Sequence, residues 1–203
     1  MANDYIGVVS PEGIAIYPHL TTPDTKFNAM GEYKVSLSVE ASEAAPLIGN
    51  IETAMKQAEK LIPKGKRQKL AEPPFFDELD DEGQETGRVV FKFKMKAKVN
   101  TKDGRTIEMS PKMFDASGTM MSDVDSIWGG SILRISADLV PFYVAAVGAG
   151  VSARLKAVQI IDLKTGGGAD ASSFGFEATE GYSAPKIETA QDEGFVDEEN
   201  EDF

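Results

Sequence analysis

The chain has 203 residues, 41% hydrophobic, with no cysteine, a single histidine (His19) and a formal net charge of −12. That length and apolar content are enough for one core with appendages, while the missing thiols exclude disulfides, thiolate metal sites and cysteine nucleophiles and fit a reducing cytosol. One histidine argues against histidine-cluster zinc sites and histidine-centred triads, and no apolar run approaches the about 18 residues of a membrane span. MANDYIGVVSPEG lacks the basic and apolar regions of a secretory leader, so a cytoplasmic protein without membrane partners is expected. The charge is uneven. Residues 165–203 carry eleven Asp/Glu against Lys186 alone, whereas residues 1–164 carry 22 acids and 20 bases. A nearly balanced body with an acidic tail often marks a nucleic-acid or partner interaction.

In chain order, EYKVSLSVE (32–40) alternates, with Tyr33, Val35, Leu37 and Val39 on one face, the pattern of a half-buried strand. Residues 43–62 read as a helix, with Ser42 as N-cap, Pro46 near the first turn, an apolar stripe of Leu47, Ile51, Met55, Ala58 and Ile62, and Pro63 as its stop. KGKRQK (64–69) is a basic loop and PPFFDELDDEG (73–83) a turn-rich acidic stretch. VVFKFKMKAKV (89–99) is the most regular strand, and Asp103–Gly104 within 100–106 signals a hairpin. IEMSPKMFDAS (107–117) reads as a short strand that Pro111 edges or breaks. SILRISADLVPF (131–142) and VSARLKAVQIIDL (151–163) are two further strands, joined by the small residues of YVAAVGAG. This inventory predicts an all-β, five-stranded Greek-key barrel of the OB type with one inserted helix over residues 1–164. From Thr165 the composition turns to Gly, Ser, Ala and acids with no apolar period, so 165–203 is expected to be a disordered acidic tail.

In FKFKMKAK, Phe91, Phe93, Met95 and Ala97 point one way and Lys92, Lys94, Lys96 and Lys98 the other. Strand geometry sets successive lysines about 7 Å apart, near the spacing of phosphates along a nucleic-acid strand. A solvated face over a buried one would look the same. The functional reading gains from the other bases: Lys64, Lys66, Arg67 and Lys69 in one loop, Lys102 and Arg105 in another, and Arg134, Arg154 and Lys156 on later strands. Bases gathered this way in an acidic chain point to a positive groove. Tyr17, Phe75, Phe76, Phe114, Trp128, Phe142 and Tyr143 are rings on which bases could stack, although each taken singly is more readily a core residue. Of Phe142 and Tyr143, adjacent on an extended chain, one should be exposed. DELDDEG lacks the ligand order of a calcium loop, TGGGA lacks the lysine and helix of a phosphate loop, and no catalytic constellation occurs, so no metal, cofactor or enzymatic activity is expected.

The motifs also occur in a telling order. PFFD precedes the FKFK strand and Asp115-x-x-Gly118; a GGS turn (129–131), LVP-aromatic (139–142), AVGAGVSARL (146–155) and an acidic tail ending in DF follow. This order, over about residues 30–165 and again at the tail tip, resembles the single-stranded DNA-binding proteins of podophages of the T-seven type. The resemblance implies an OB fold that binds single-stranded DNA without sequence preference and acts in phage replication, recombination and repair inside the infected bacterial host cell. It also implies a homodimer, and a C-terminal tail that contacts the phage DNA polymerase and primase-helicase. Base stacking carries over to Phe142, with Tyr143 as substitute, where the family shows tyrosine followed by lysine. The segment before PFFD is shorter than in the best-known member, and the tail is shorter and less acidic.

The tail tip, GFVDEENEDF, suggests how such a protein is used. A tethered polyanion competes with DNA phosphates for the same lysines, and Asp197, Glu198, Glu199, Glu201 and Asp202 surround Phe203, a candidate anchor for a partner's pocket. Two rival readings are an assembly or adaptor protein acting through its tail without binding DNA, and an RNA-binding chaperone on the same fold.

Overall fold

The computed structural model describes residues 5–26, 28–122, 124 and 126–165. The tail expectations, including those for Asp197 to Phe203, lie outside the described residues. The chain opens with β1 (Ile6–Val9), β2 (Gly13–Asp24) and β3 (Glu32–Glu40), followed by α1 (Ala41–Glu59). Then come β4 (Phe75–Leu79), β5 (Glu85–Lys96), β6 (Lys98–Asn100), β7 (Thr106–Glu108), β8 (Lys112–Phe114) and β9 (Met120–Met121), and finally β10 (Ile132–Val144) and β11 (Gly148–Asp162).

Five strands close on themselves. β10 pairs with β2, β2 with β3, β3 with β5, β5 with β11, and β11 returns to β10. The β5–β11 contact is parallel and the other four are antiparallel. Closure removes exposed sheet edges from this ring. This is the expected five-stranded barrel, with the helix inserted after its second ring strand. β1, β4 and the β8–β9 pair extend the sheet outside the ring, and β6–β7 form a separate hairpin.

The alternation read in the sequence is what fills the barrel. Val35, Leu37 and Val39 from β3, Phe91, Phe93 and Met95 from β5, Leu133, Ile135 and Leu139 from β10, and Leu155 and Val158 from β11 are buried in one cluster. Phe75 on β4 adds a tilted ring contact to Phe91, with centroids 5.8 Å apart. Helix α1 packs mainly against β10 and β11 and also touches β1, β3 and β5. Its buried face is Ala44, Leu47, Ile51, Ala54 and Ala58, a 3-4-3-4 spacing in which alanines bring the helix close to the strands.

Several local details differ from expectation. β3 runs straight into α1, so Glu40 occupies the cap position without a side-chain cap bond, and Ser42 falls inside the first turn. Pro46 is the sixth helical residue, past the first turn, and removes the N–H that Ser42's carbonyl would accept. Met55 is only half-buried and Ile62 lies beyond the helix end. PPFFDELDDEG contains a strand, β4, whose acids build a turn into β5: Asp80 Oδ1 accepts N–H bonds from Glu82 (2.9 Å) and Gln84 (2.8 Å). The N-terminal strands β1 and β2 gave no clear period in the sequence, because Pro11, Pro18 and Pro23 interrupt it.

Asp115-x-x-Gly118 is a tight turn between β8 and β9, with Gly118 at φ +86°. Asp115 Oδ1 accepts bonds from the Ser117 hydroxyl (2.7 Å) and the Thr119 N–H (2.8 Å), which hold its carboxyl below the usual carboxylate range. A carboxyl depressed in the folded state contributes stability that is complete above its unfolded value, about 3.9, and is lost as pH falls through the lower folded value. Asp115→Asn removes this contribution at neutral pH. Its melting temperature therefore falls below that of the parent near neutrality and converges on it in acid, which a thermal melt series in pH checks.

Candidate nucleic-acid interface

The outer face of the barrel carries the lysines. Lys92, Lys94 and Lys96 alternate outward from β5, while Phe91 and Phe93 beneath are only 1% and 2% exposed. Cross-strand register builds a row around Lys94. Lys34 on β3 lies beside it on one side and Arg154 on β11 on the other. Because β5 and β11 are parallel, Lys156 follows Arg154 in the same direction that Lys96 follows Lys94. Ser36 lies beside Lys92, and a groove of about 290 Å³ runs along this face, lined in part by Tyr17, Lys34, Ser36, Lys92 and Lys94. Glu32, in register with Lys96, is the groove's one carboxylate among the described residues.

Partners differ among these cations. Lys92 Nζ sits 4.7 Å above the Phe76 ring and the Arg154 guanidinium 5.4 Å from the Tyr5 ring. Lys34 Nζ donates to Asp24 at 2.6 Å, and Lys156 to Asp138 at 2.8 Å. The Lys34 bond, with the Lys26 backbone N–H next, holds the Asp24 carboxyl below its usual range. Lys92, Lys94, Lys96 and Arg154 have no carboxylate partner among the described residues. Exposed ion pairs of the Lys156 kind are weak, so a phosphate can compete for the ammonium.

The structure separates the remaining sequence candidates. Lys98, Lys102 and Arg105 lie on the β6–β7 hairpin, where Lys98 pairs with Glu108 (2.9 Å) and Arg105 with Asp103 (2.5 Å). Arg134, outward on β10, pairs with Glu12 at 2.8 Å. Lys64, Lys66 and Arg67 are exposed in a loop docked on the β10–β11 hairpin. Lys69 Nζ donates to the Ala146 carbonyl (2.9 Å), Ala149 N–H to the Lys69 carbonyl (2.9 Å), and Ala71 N–H to the Ala149 carbonyl (2.7 Å). Phe142 belongs to this end. It is half-buried, in register with Gly150, and a Cβ built on Gly150 would lie 2.8 Å from both its ring and Ala71. Tyr143 is also half-buried and packs against the core. Phe142 lies four residues along β10 from Asp138, which stands in register with Arg154, so it is about 13 Å from the lysine row.

Docking of the basic loop depends on Gly148. It adopts φ +109°, and a Cβ there would lie 2.4 Å from the Lys69 carbonyl oxygen. Gly148→Ala therefore destabilises the fold by about 1–3 kcal/mol and frees the loop. Limited trypsin digestion then cuts after Lys64, Lys66 or Arg67 faster than in the parent.

Two rings face solvent beside the lysine face. Trp128 is 53% exposed and Tyr17 84%. Tyr17 projects because β2 bulges there: register shifts on either side of His19, Pro18 offers no ladder donor, and Tyr17 itself sits at φ +47°. Sequence reasoning missed Lys34. Its signal was present, since Lys34 occupies the polar face of the alternating strand 32–40.

A closed five-stranded barrel with one inserted helix, a lysine row across its outer strands and exposed rings alongside defines an OB-type single-strand-binding scaffold. Residues 12–163 match the family described as single-stranded DNA-binding protein, bacteriophage T7, and the chain belongs to that family. It is 29% identical to the single-stranded DNA-binding protein of enterobacteria phage T3 over 198 residues, spanning 94% of this chain and 80% of that one. It is 35% identical to the Escherichia phage T7 protein of the same description over 133 residues, spanning 63% and 55% respectively. The fold superposes on the crystal structure of gp2.5, a single-stranded DNA binding protein encoded by bacteriophage T7, with TM-score 0.67 and 27% identity, covering 89% of this chain and all of that one. Among the described residues, no helix is long and apolar enough to cross a membrane.

Proposed function

We propose that this protein is a non-enzymatic, sequence-independent single-stranded DNA-binding protein of a phage. The observation that carries the reading is the row of Lys92, Lys94 and Lys96 on one exposed strand face, flanked in register by Lys34 and Arg154. These groups and Lys156 contact phosphates, and Trp128 stacks on a base. Lys64, Lys66, Arg67, Lys69 and Phe142 form a second contact region at the β10–β11 end. Family membership supports the ligand class. Residues 1–164 form the binding domain and 165–203 an acidic segment that competes with DNA for the lysines. Asp197, Glu198, Glu199, Glu201, Asp202 and Phe203 then engage replication proteins such as the phage polymerase and primase-helicase. A homodimer acting in replication, recombination and repair in the host cytoplasm completes the reading.

Competition by the acidic segment is tested by shortening the chain after Thr165. Lys164 is retained because its backbone bonds Trp128 and Ser131. The shortened chain binds single-stranded oligonucleotide about tenfold tighter at low salt, the difference shrinking as salt rises. Equal affinities at low salt would remove competition from the account and leave the lysine row.

A further inference from the structure

A second cleft opens on the other side of Tyr17, and its chemistry differs from that of the lysine groove. It measures about 390 Å³ and lies between β2 and the 126–129 segment. Tyr17, Pro18, Ile127 and Trp128 give it apolar surface, and Thr21 and Thr22 give it hydroxyls. No Lys, Arg, Asp or Glu lines it among the described residues. His19 is its one basic lining residue among the described residues, so a phosphate finds no lysine or arginine there, whereas a flat uncharged base finds two rings. Tyr17 lines this cleft and the lysine groove alike. The two therefore suit adjacent parts of one ligand, the backbone on the lysines and a base in the cleft.

Both walls share one anchor. Trp128 N–H donates to the Lys164 carbonyl at 3.0 Å, and the Ser131 hydroxyl donates to the Trp128 carbonyl at 2.8 Å. Gly130 N–H donates to the Ala15 carbonyl (2.9 Å), and Ala15 N–H donates to the Ser131 carbonyl (2.8 Å). Ala15 is two residues before Tyr17, so the clamp that holds Trp128 also fixes the entry to the bulge that turns Tyr17 outward. A left-handed backbone is unfavourable for a tyrosine, and such strain concentrates where it presents a side chain to a ligand. The backbone segments that carry the two rings are thus held before any ligand arrives, which lowers the ordering cost of binding.

We infer that the Tyr17–Trp128 cleft is a nucleobase subsite, and that it gives the protein its preference for single strands over duplex. Lysines spaced for phosphates attract either form of DNA. A base that is paired and stacked cannot enter a cleft between two rings without first leaving the helix, which costs unstacking and unpairing. The inference rests on the reading of the lysine row as a DNA track, and the test separates the two.

Full-length Tyr17→Ala and Trp128→Ala are titrated with a thymidine oligonucleotide and with a duplex of the same length at one salt concentration, beside Tyr17→Phe and Trp128→Phe. Each alanine variant loses about tenfold or more in single-strand affinity, duplex affinity stays within about twofold, and each phenylalanine variant keeps most of the parent's affinity. Single-strand affinity unchanged in both alanine variants, or single-strand and duplex affinities falling together, would overturn the cleft while leaving the lysine track in place. A parent protein that binds neither form at low salt would overturn the track itself. If thermal melting shows Trp128→Ala to be unfolded, the far more exposed Tyr17 carries the test.

Discussion

Replacing Lys92 and Lys94 together by alanine lowers affinity for single-stranded DNA by about 30-fold or more at moderate salt, and flattens the slope of log K against log salt by about 1.4. The expectation follows from position. Both ammonium groups leave the same face of β5, both border the groove along β3, and neither has a carboxylate partner among the described residues. Each phosphate contact on a single strand contributes about 0.7 to the salt slope, so two lost contacts are read directly from the slope. The same double substitution on the β6–β7 hairpin, Lys102→Ala with Arg105→Ala, leaves the slope nearly unchanged. That hairpin lies outside the main sheet, and Arg105 is already paired with Asp103. Filter binding or fluorescence anisotropy at four salt concentrations distinguishes the two variants. Equal loss in both would mean that the protein's charge acts diffusely rather than through the lysine row.

One residue away on β5, the effect changes kind. Phe91→Ala destabilises the fold by about 3–5 kcal/mol, out of a net stability of about 5–15. Phe91 is among the largest fully buried side chains, lies in register with Leu37 and Phe75, and touches the Phe75 ring. Its removal leaves a cavity at the junction of β3, β4 and β5 that a rigid closed barrel cannot collapse around. The melting temperature falls by about 10 °C or more, read by circular dichroism. Lys92→Ala, the next residue, shifts it by no more than about 2 °C. A strand that alternates between DNA contact and core thus gives opposite phenotypes at neighbouring positions, and similar melting temperatures for the two variants would contradict that alternation.

Period-2 patterns made the central strands legible. Residues 32–37 and 91–96 alternate because each has one face in the core and one more open to solvent. β1 and β2 were illegible because prolines break the period, and because β2 bulges at Tyr17–Pro18, shifting its register. β4 was hidden by its acids: Asp77 and Glu78 on an edge strand look like a loop when read singly. The site was legible as a set of bases but not as a surface. Lys98 continues the alternation in sequence, yet the chain bends at Ala97 and starts a new hairpin, carrying Lys98 to Glu108. Lys34 and Arg154 join Lys94 only through pairing between distant strands, which no local pattern encodes. Phe142 and Trp128 both read as candidate rings, but only closure of the barrel shows that Phe142 stands with the basic loop and Trp128 beside Tyr17.

Whether phosphates lie on the lysine row is decided by the salt dependence of binding by the intact protein. Affinity for a thymidine oligonucleotide would be measured from about 50 to 500 mM salt. Contacts from Lys34, Lys92, Lys94, Lys96, Arg154 and Lys156 predict a linear fall of log K with a slope of about −4. An affinity that stays constant across that range would contradict that placement.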